Sequence, residues 1–170
     1  DILADVMSQK GVSFDKTQGL PLTISGRLQS GVYNIAGDVS SQYITGLLYA
    51  LPLVDGDSEI VLTSPLQSKG YVDMTIKTLD EFGIKIDVTP NGYKIKGNQK
   101  YIAKDFVVEG DWSNGAFWMV LGALNNGMTI QGLDGNSLQG DKAIADIIKR
   151  MGGDITVEQN QVVVGKSKLE

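Results

Sequence analysis

Residues 37–54 read GDVSSQYITGLLYALPLV, and this stretch sets the pattern that the rest of the chain follows. Its apolar residues recur at helical spacing and predict a helix with one buried face. That face carries Ile44, Leu47, Leu48 and Leu51. Ser40, Ser41 and Gln42 stand where the helix begins, just after Asp38. Asp38 or Ser40 can cap the helix, and the same polar groups can equally bind a ligand.

The same features begin again at residue 110, where the sequence reads GDWSNGAFWMVLGALNN. Each copy predicts a helix after Gly-Asp-x-Ser, then a short strand, a polar loop, a second helix ending in glycine, and a closing pair of strands. The buried faces predicted for the other three helices are Val72, Ile76, Leu79 and Phe82; Phe117, Val120, Leu121 and Leu124; and Ile144, Ile147, Ile148 and Met151. Residues 20–36 supply strands before the first copy. The pattern is a β-α-β-α-β-β unit seen almost twice, in a mixed α/β (α+β) fold.

The repeat also predicts where the chain divides. We expect one part at residues 1–108 and another at 109–170, with the division just before the second Gly-Asp pair. A single continuous domain with a surface loop there is the alternative. The first nineteen residues are typical of the end of a helix followed by a turn, so we expect the chain to be a piece of a longer protein.

Composition and charge argue against several classes of function. The 42% hydrophobic content is ordinary for a globular protein, and the net charge of -5 offers no basic surface for nucleic acid. The chain has no cysteine and no histidine, so it lacks thiolate chemistry, the commonest general base and the commonest metal ligand. We therefore expect no metal and no cofactor. No apolar stretch reaches the roughly 18 residues that span a bilayer, and we expect a cytoplasmic protein.

The helix starts of the first copy are the candidate ligand site. A helix N-terminus offers free N–H donors and a partial positive charge, to which Ser40 and Ser41 add hydroxyls and Gln42 an amide. Ser68 precedes the next helix of the same unit and should face the same side, with Tyr71 adding an apolar ring and a polar tip. The alternative is two capped helices with a surface tyrosine.

The second copy serves as an internal comparison for this site. There Ser-Ser-Gln is replaced within WSNGA, at residues 112–116, which leaves fewer side-chain donors. If capping were the whole role, both copies could have kept the same residues, so the difference favours ligand binding in the first copy. Further along the second copy, Asp141 is the predicted cap of the fourth helix. No pair of carboxylates is spaced as an acid and base dyad.

Four stretches, which follow one another along nearly the whole chain, resemble the 5-enolpyruvylshikimate-3-phosphate synthase (3-phosphoshikimate 1-carboxyvinyltransferase) family. They are PLTISGRLQSGVYNIAGDVSSQ at 21–42, QSKGYVDMT at 67–75, EGDWSNGAFW at 109–118 and NSLQGDKAIADIIKRMGG at 136–153. The resemblance implies two lobes, each of three β-α-β-α-β-β units, in an inside-out α/β barrel type of fold. It also implies transfer of the enolpyruvyl group of phosphoenolpyruvate to the 5-hydroxyl of shikimate 3-phosphate, with release of phosphate.

By position in these motifs, the resemblance also assigns roles to single residues. Ser40, Ser41 and Ser68 would bind the 3-phosphate of shikimate 3-phosphate. Gln42 would contact that substrate and also phosphoenolpyruvate, and Tyr71 would lie along the shikimate ring. Lys69, the nearby cation in the second motif, is interpreted as a solvated lysine, and Arg27 has no place by motif.

The resemblance also implies what this chain lacks. The family's acid and base carboxylates, and the cations that hold phosphoenolpyruvate, come from motifs with no match here. Residues 1–108 would then be the later part of the substrate-binding lobe and residues 109–170 the first unit of the second lobe. We expect the isolated chain to be inactive and able to self-associate, and the full-length protein to be a monomer. The alternatives are a UDP-sugar enolpyruvyl transferase and a non-catalytic binding module of the same fold.

Overall fold

The computed structural model describes residues 2–15 and 22–170. The chain divides into two compact units, Asp1–Lys104 and Asp105–Glu170. The division expected after residue 108 lies close to this one. Of the first nineteen residues, for which the sequence predicts the end of a helix and a turn, residues 1 and 16–19 fall outside the described residues.

From residue 23 onward the first unit has the predicted order of elements, whereas the strand Val12–Asp15 was not predicted. Its helices and strands are α1 (Ile2–Ser8), β1 (Val12–Asp15), β2 (Thr23–Gly26), β3 (Gly31–Ile35), α2 (Ser41–Ala50), β4 (Ser58–Leu62), α3 (Lys69–Glu81), β5 (Ile86–Thr89) and β6 (Gly92–Ile95). Strands β1 and β2 pair as an antiparallel ribbon. The main sheet has the order β3-β4-β6-β5, in which β3 and β4 are parallel and the other pairs antiparallel. From β3 onward this is one β-α-β-α-β-β unit, as the sequence predicts.

The core of the first unit forms where α2 and α3 pack on this sheet. The buried face predicted for α2 is confirmed, because Ile44, Leu47, Leu48 and Leu51 are each at most 2% exposed. On α3, Val72 and Leu79 are buried, and Ile76 packs against the cluster at partial burial. The sheet contributes Tyr33, Ile35, Ile60, Tyr93 and Ile95.

The second unit repeats the order of elements from the first helix of the repeat onward. They are α4 (Trp112–Leu124), β7 (Met128–Gln131), α5 (Ala143–Arg150), β8 (Ile155–Val157) and β9 (Gln161–Val164). The three strands form an antiparallel sheet in the order β7-β9-β8. In residues 105–170, all of them described, no strand precedes α4. A backbone hydrogen bond of 2.7 Å from Gly110 N to Gly132 O ties the entry of that helix to the end of β7.

The buried face predicted for α4 is wrong. Phe117, Val120, Leu121 and Leu124 are between 36% and 76% exposed, whereas Trp112 and Met119 are fully buried. The helix is apolar around most of its circumference, so spacing alone could not select the face. The inner face is the one that carries small residues, because these let neighbouring groups approach the helix closely. A Cβ on Gly115 would lie 2.9 Å from Leu133 Cδ1, and one on Gly122 would lie 2.8 Å from Met128 Cβ.

Two expectations for α5 also need correction. Ile148 is buried and Ile144 packs on the core, as predicted, but Ile147 and Met151 are about 40% exposed. The predicted cap Asp141 lies in a short 3-10 turn, Gly140–Lys142, and the helix itself begins at Ala143. The 3-10 turn takes up the residues that the sequence pattern assigns to the first turn of the helix.

Candidate functional site

The N-terminus of α2 is capped by Ser40. Its backbone is extended, and its Oγ accepts a hydrogen bond of 3.3 Å from the backbone N of Gln42. Ser41 is the first residue of the helix, and the side chain of Gln42 is exposed. A serine hydroxyl that accepts one hydrogen bond retains its own proton for donation. Capping by Ser40 is therefore compatible with a phosphate at the same place.

Ser68, before α3, behaves differently from Ser40. Its backbone is left-handed, with φ 54° and ψ 40°, and within the described chain its side chain makes no capping hydrogen bond to α3. The capping interpretation is therefore wrong for Ser68. Among the described residues, the other non-glycine residue with positive φ is Asn98. A left-handed serine is strained, and such residues are typical of functional sites.

The loops that carry these serines are hydrogen-bonded to each other. Because β3 and β4 are parallel neighbours, the loops that follow them, 36–40 and 63–68, leave the sheet at the same edge. Gln67 N donates to Gly37 O at 2.9 Å, and Gly37 N donates to Ser64 Oγ at 3.0 Å. The structure thus brings the starts of α2 and α3 to one side of the unit, as expected.

An aromatic side chain and an ion pair of α3 also lie near this edge. Tyr71 lies in the first turn of α3 and is 40% exposed. Lys69 Nζ forms an exposed ion pair with Asp73 at 2.6 Å. Arg27, by contrast, pairs with Asp55 at 2.9 Å and precedes β3, at the opposite edge of the sheet. Arg27 therefore does not join the candidate site.

The start of α4, the equivalent helix of the second unit, is closed by protein groups. Asp111 accepts hydrogen bonds from Ser113 N at 2.8 Å and Asn114 Nδ2 at 2.5 Å. The hydrogen bond from Ser113 is the main reason why the pKa of Asp111 is lowered. Gln139 adds an Oε1 acceptor for Trp112 N at 2.9 Å. A negative charge and an amide thus occupy the place where an anion would bind, so the two helix starts differ chemically.

Two residues of the first unit were not predicted as part of the site. Ser64 was not singled out, and Asp38 was considered only as a helix cap. Ser64 Oγ donates to Asp38 Oδ1 at 2.5 Å. The sequence feature that could have indicated this contact is the Gly-Asp pair. Because Ser40 can cap α2, Asp38 is not needed as the cap and can make another contact.

The described residues offer neither a metal site nor a membrane span. In residues 2–15 and 22–170, no three acidic, histidine or cysteine side chains are grouped as metal ligands. Over the same residues, no helix has the length and apolar character needed to cross a membrane.

All 170 residues match the sequence profile of the EPSP synthase (3-phosphoshikimate 1-carboxyvinyltransferase) family. The chain belongs to this family. Among curated 3-phosphoshikimate 1-carboxyvinyltransferases, the chain is 46% identical to that of Clostridium novyi over 99% of its length and 48% identical to that of Clostridium kluyveri over the same share. It is 50% identical to that of Methanocaldococcus jannaschii over 82% of its length. The resemblance inferred from the motifs is confirmed.

Solved structures of the EPSP synthase fold match the chain over nearly its whole length. An EPSP synthase from Acinetobacter baumannii superposes with a TM-score of 0.77 at 22% identity, covering 99% of this chain and 40% of that one. The enolpyruvyl transferase NikO from Streptomyces tendae superposes with a TM-score of 0.71 at 19% identity, covering 96% of this chain and 41% of that one. The enolpyruvyl transferase fold is therefore shown. The chain spans about 40% of the length of the Clostridium relatives.

Proposed function

We propose that the full-length protein transfers the enolpyruvyl group of phosphoenolpyruvate to the 5-hydroxyl of shikimate 3-phosphate and releases phosphate. It would act in the cytoplasm as a monomer, in the shikimate pathway to chorismate and the aromatic amino acids. Residues 1–108 form the later part of its substrate-binding lobe, and residues 109–170 form the first unit of the second lobe. Membership of the EPSP synthase family supports this assignment.

One observation carries the proposal for the site. The starts of α2 and α3 are held at one edge by hydrogen bonds between their loops, and hydroxyls stand at both starts. In the proposal, Ser40, Ser41 and Ser68 bind the 3-phosphate through these hydroxyls and the neighbouring N–H groups. Gln42 contacts shikimate 3-phosphate and phosphoenolpyruvate, and Tyr71 lies along the shikimate ring.

The 170-residue chain by itself should bind its substrate weakly and catalyse nothing. A phosphate monoester carries about two negative charges, and Lys69, the cation at the start of α3, is already paired with Asp73. The net charge of -5 adds a mildly repulsive field. No cofactor is needed for the proposed reaction.

The test is a titration of the chain followed by amide chemical shifts. Shikimate 3-phosphate should move the signals of Ser40, Ser41 and Ser68, and a UDP-sugar should leave them in place. The variant Ser41→Ala should weaken the response, whereas Ser113→Ala, in the first turn of α4, is the matched control and should respond as the parent chain does. Shifts produced by the UDP-sugar at these serines would favour the alternative enolpyruvyl transferase.

A phosphate-release assay separates the enzyme from a non-catalytic binding module. With both substrates, the full-length protein should release phosphate and the 170-residue chain should release none. Binding by the full-length protein without phosphate release would favour the binding module. Release by the chain alone would contradict our proposal that the missing groups are needed.

We also propose that the isolated chain self-associates through the exposed face of α4. This apolar face consists of Phe117, Trp118, Val120, Leu121 and Leu124. Neighbouring apolar side chains exposed together on one helix favour association in water. In the full-length protein, further residues would cover the same face.

A further inference from the structure

We propose that Asp38 and Ser64 are positioning residues, which hold the starts of α2 and α3 at the separation that one phosphate group requires. The inference rests on the proposed function, because it concerns the same phosphate site. Neither residue is assigned to contact the substrate. Their role is to connect the loop before Ser40 to the loop before Ser68.

The contact uses both hydrogen-bonding capacities of the Ser64 hydroxyl. Its oxygen accepts from Gly37 N at 3.0 Å, and its proton is donated to Asp38 Oδ1 at 2.5 Å. The carbonyl of Gly37 in turn accepts from Gln67 N at 2.9 Å. Gly37 is thus held through both its N–H and its carbonyl, two residues after β3 and three residues before Ser40.

The close approach of the two loops requires glycine at position 37. A Cβ there would lie 2.8 Å from the backbone O of Ser64 and 3.0 Å from the Cα of Leu66. Both atoms belong to backbone and cannot rotate away as a side chain could. The two loops are therefore packed as well as hydrogen-bonded, and Ser64 provides the side-chain part of that connection.

The second unit supports a distinct role for Asp38. Its counterpart Asp111 follows the equivalent glycine but caps its own helix, by accepting from Ser113 N at 2.8 Å. In the first unit, Ser40 accepts the equivalent bond from Gln42 N, and Asp38 binds the neighbouring loop instead. The aspartate of the same dipeptide therefore makes different contacts in the two copies, and only the first copy is assigned a ligand.

The contact also fixes a negative charge close to the site. Asp38 lies two residues before Ser40, and a carboxylate near a bound phosphate repels it. Donation by Ser64 stabilises the carboxylate in its position against the second loop. Loss of Ser64 should therefore weaken phosphate binding in two ways. The two loops would be held together less firmly, and the Asp38 carboxylate would be free to move towards the phosphate and repel it.

The test compares four variants in a titration of the 170-residue chain with shikimate 3-phosphate, again followed by amide shifts. Ser64→Ala should weaken binding about tenfold, the effect expected for one hydrogen bond to a charged group. Ser64→Thr keeps the hydroxyl and should stay within about twofold of the parent chain. Asp38→Asn keeps an acceptor and removes the charge, so its affinity should equal or exceed that of the parent.

Ser58→Ala is the matched control for this experiment. It removes a hydroxyl that accepts from a glycine N–H, Gly31 N at 3.4 Å, at the opposite end of β4. It should lower the thermal unfolding midpoint without changing the affinity. Equal losses of affinity in Ser58→Ala and Ser64→Ala, or unchanged affinity in Ser64→Ala, would overturn the positioning role alone. A parent chain whose serine amides do not respond to shikimate 3-phosphate would overturn the proposed phosphate site and this inference with it, whereas the phosphate-release assay tests the proposed reaction separately.

Discussion

Ser40 and Ser68 precede two helices of one unit, yet their backbones differ. Ser40 is extended and caps α2, whereas Ser68 is left-handed and, within the described chain, makes no side-chain cap to α3. A left-handed conformation costs a non-glycine residue about 1 kcal/mol. The hydroxyl of Ser68 offers no capping energy in return, which is consistent with a role in binding a ligand.

Replacing Ser68 should therefore separate stability from binding. Ser68→Gly relieves the left-handed strain, so we expect the free energy of unfolding to be unchanged or raised by up to about 1 kcal/mol. Ser68→Ala keeps the strain and should be no more stable than the parent chain. Both variants should bind shikimate 3-phosphate more weakly, because both lose the hydroxyl. Urea unfolding measures the stability of the variants, and the amide-shift titration measures their binding. A marked loss of stability in Ser68→Gly would contradict this reasoning.

Asp111 should make the second unit sensitive to acid. Because hydrogen bonding, first from Ser113 N, lowers its pKa from 3.8 in the folded chain, its stabilising contribution is present above about pH 4. That contribution is lost as the pH falls through the lowered value. Urea unfolding at pH 7 and pH 3, followed by tryptophan fluorescence, reports on this helix because both tryptophans lie in α4.

The control for this measurement is Asp111→Asn, which keeps a capping side chain but does not titrate in this range. Its stability should change less between the two pH values than that of the parent chain. An equal change in both proteins would place the acid sensitivity elsewhere.

Helix α4 presents one apolar face to the core of its unit and leaves another exposed. Small residues on the inner side let the sheet approach closely, and Trp112 and Met119 pack beside them, while the other bulky side chains of the helix lie on the outer side. Met119 is fully buried, while Leu121 is 45% exposed. Substitution of Met119 should therefore affect mainly the stability of the fold, and substitution of Leu121 mainly self-association.

Leu121→Gln should leave the free energy of unfolding within about 0.5 kcal/mol of the parent and reduce self-association. Met119→Ala should lower the stability by about 2–5 kcal/mol, because it creates a cavity in the core. Sedimentation velocity over a range of concentrations measures association, and urea unfolding measures stability. Unchanged association in Leu121→Gln would show that this face is not the contact.

Each of the two units has its own buried cluster. Leu48 belongs to the cluster of the first unit, and Met119 to that of the second. Regions with separate cores can open as separate cooperative units. The tryptophans report on the second unit alone, whereas far-UV circular dichroism reports on the helices of both.

Leu48→Ala should therefore separate the two signals. We expect a loss of about 2–5 kcal/mol in the first unit, because the side chain is fully buried. The circular dichroism transition in urea should move to lower denaturant more than the tryptophan transition does. Equal movement of both transitions would indicate that the chain unfolds as one cooperative unit.

The family, the order of elements within each repeat and the buried face of α2 could all be predicted from the sequence. Apolar residues on one side of α2 leave a single way to bury them, and the motifs recur in a fixed order. Tertiary packing settled two matters that this local information could not. Helix α4 is apolar on several sides, and its inner face was selected by close contacts of Gly115 and Gly122. Asp38 and Asp111 share a dipeptide, but Asp38 binds a serine 26 residues away, and no local pattern specifies such a partner.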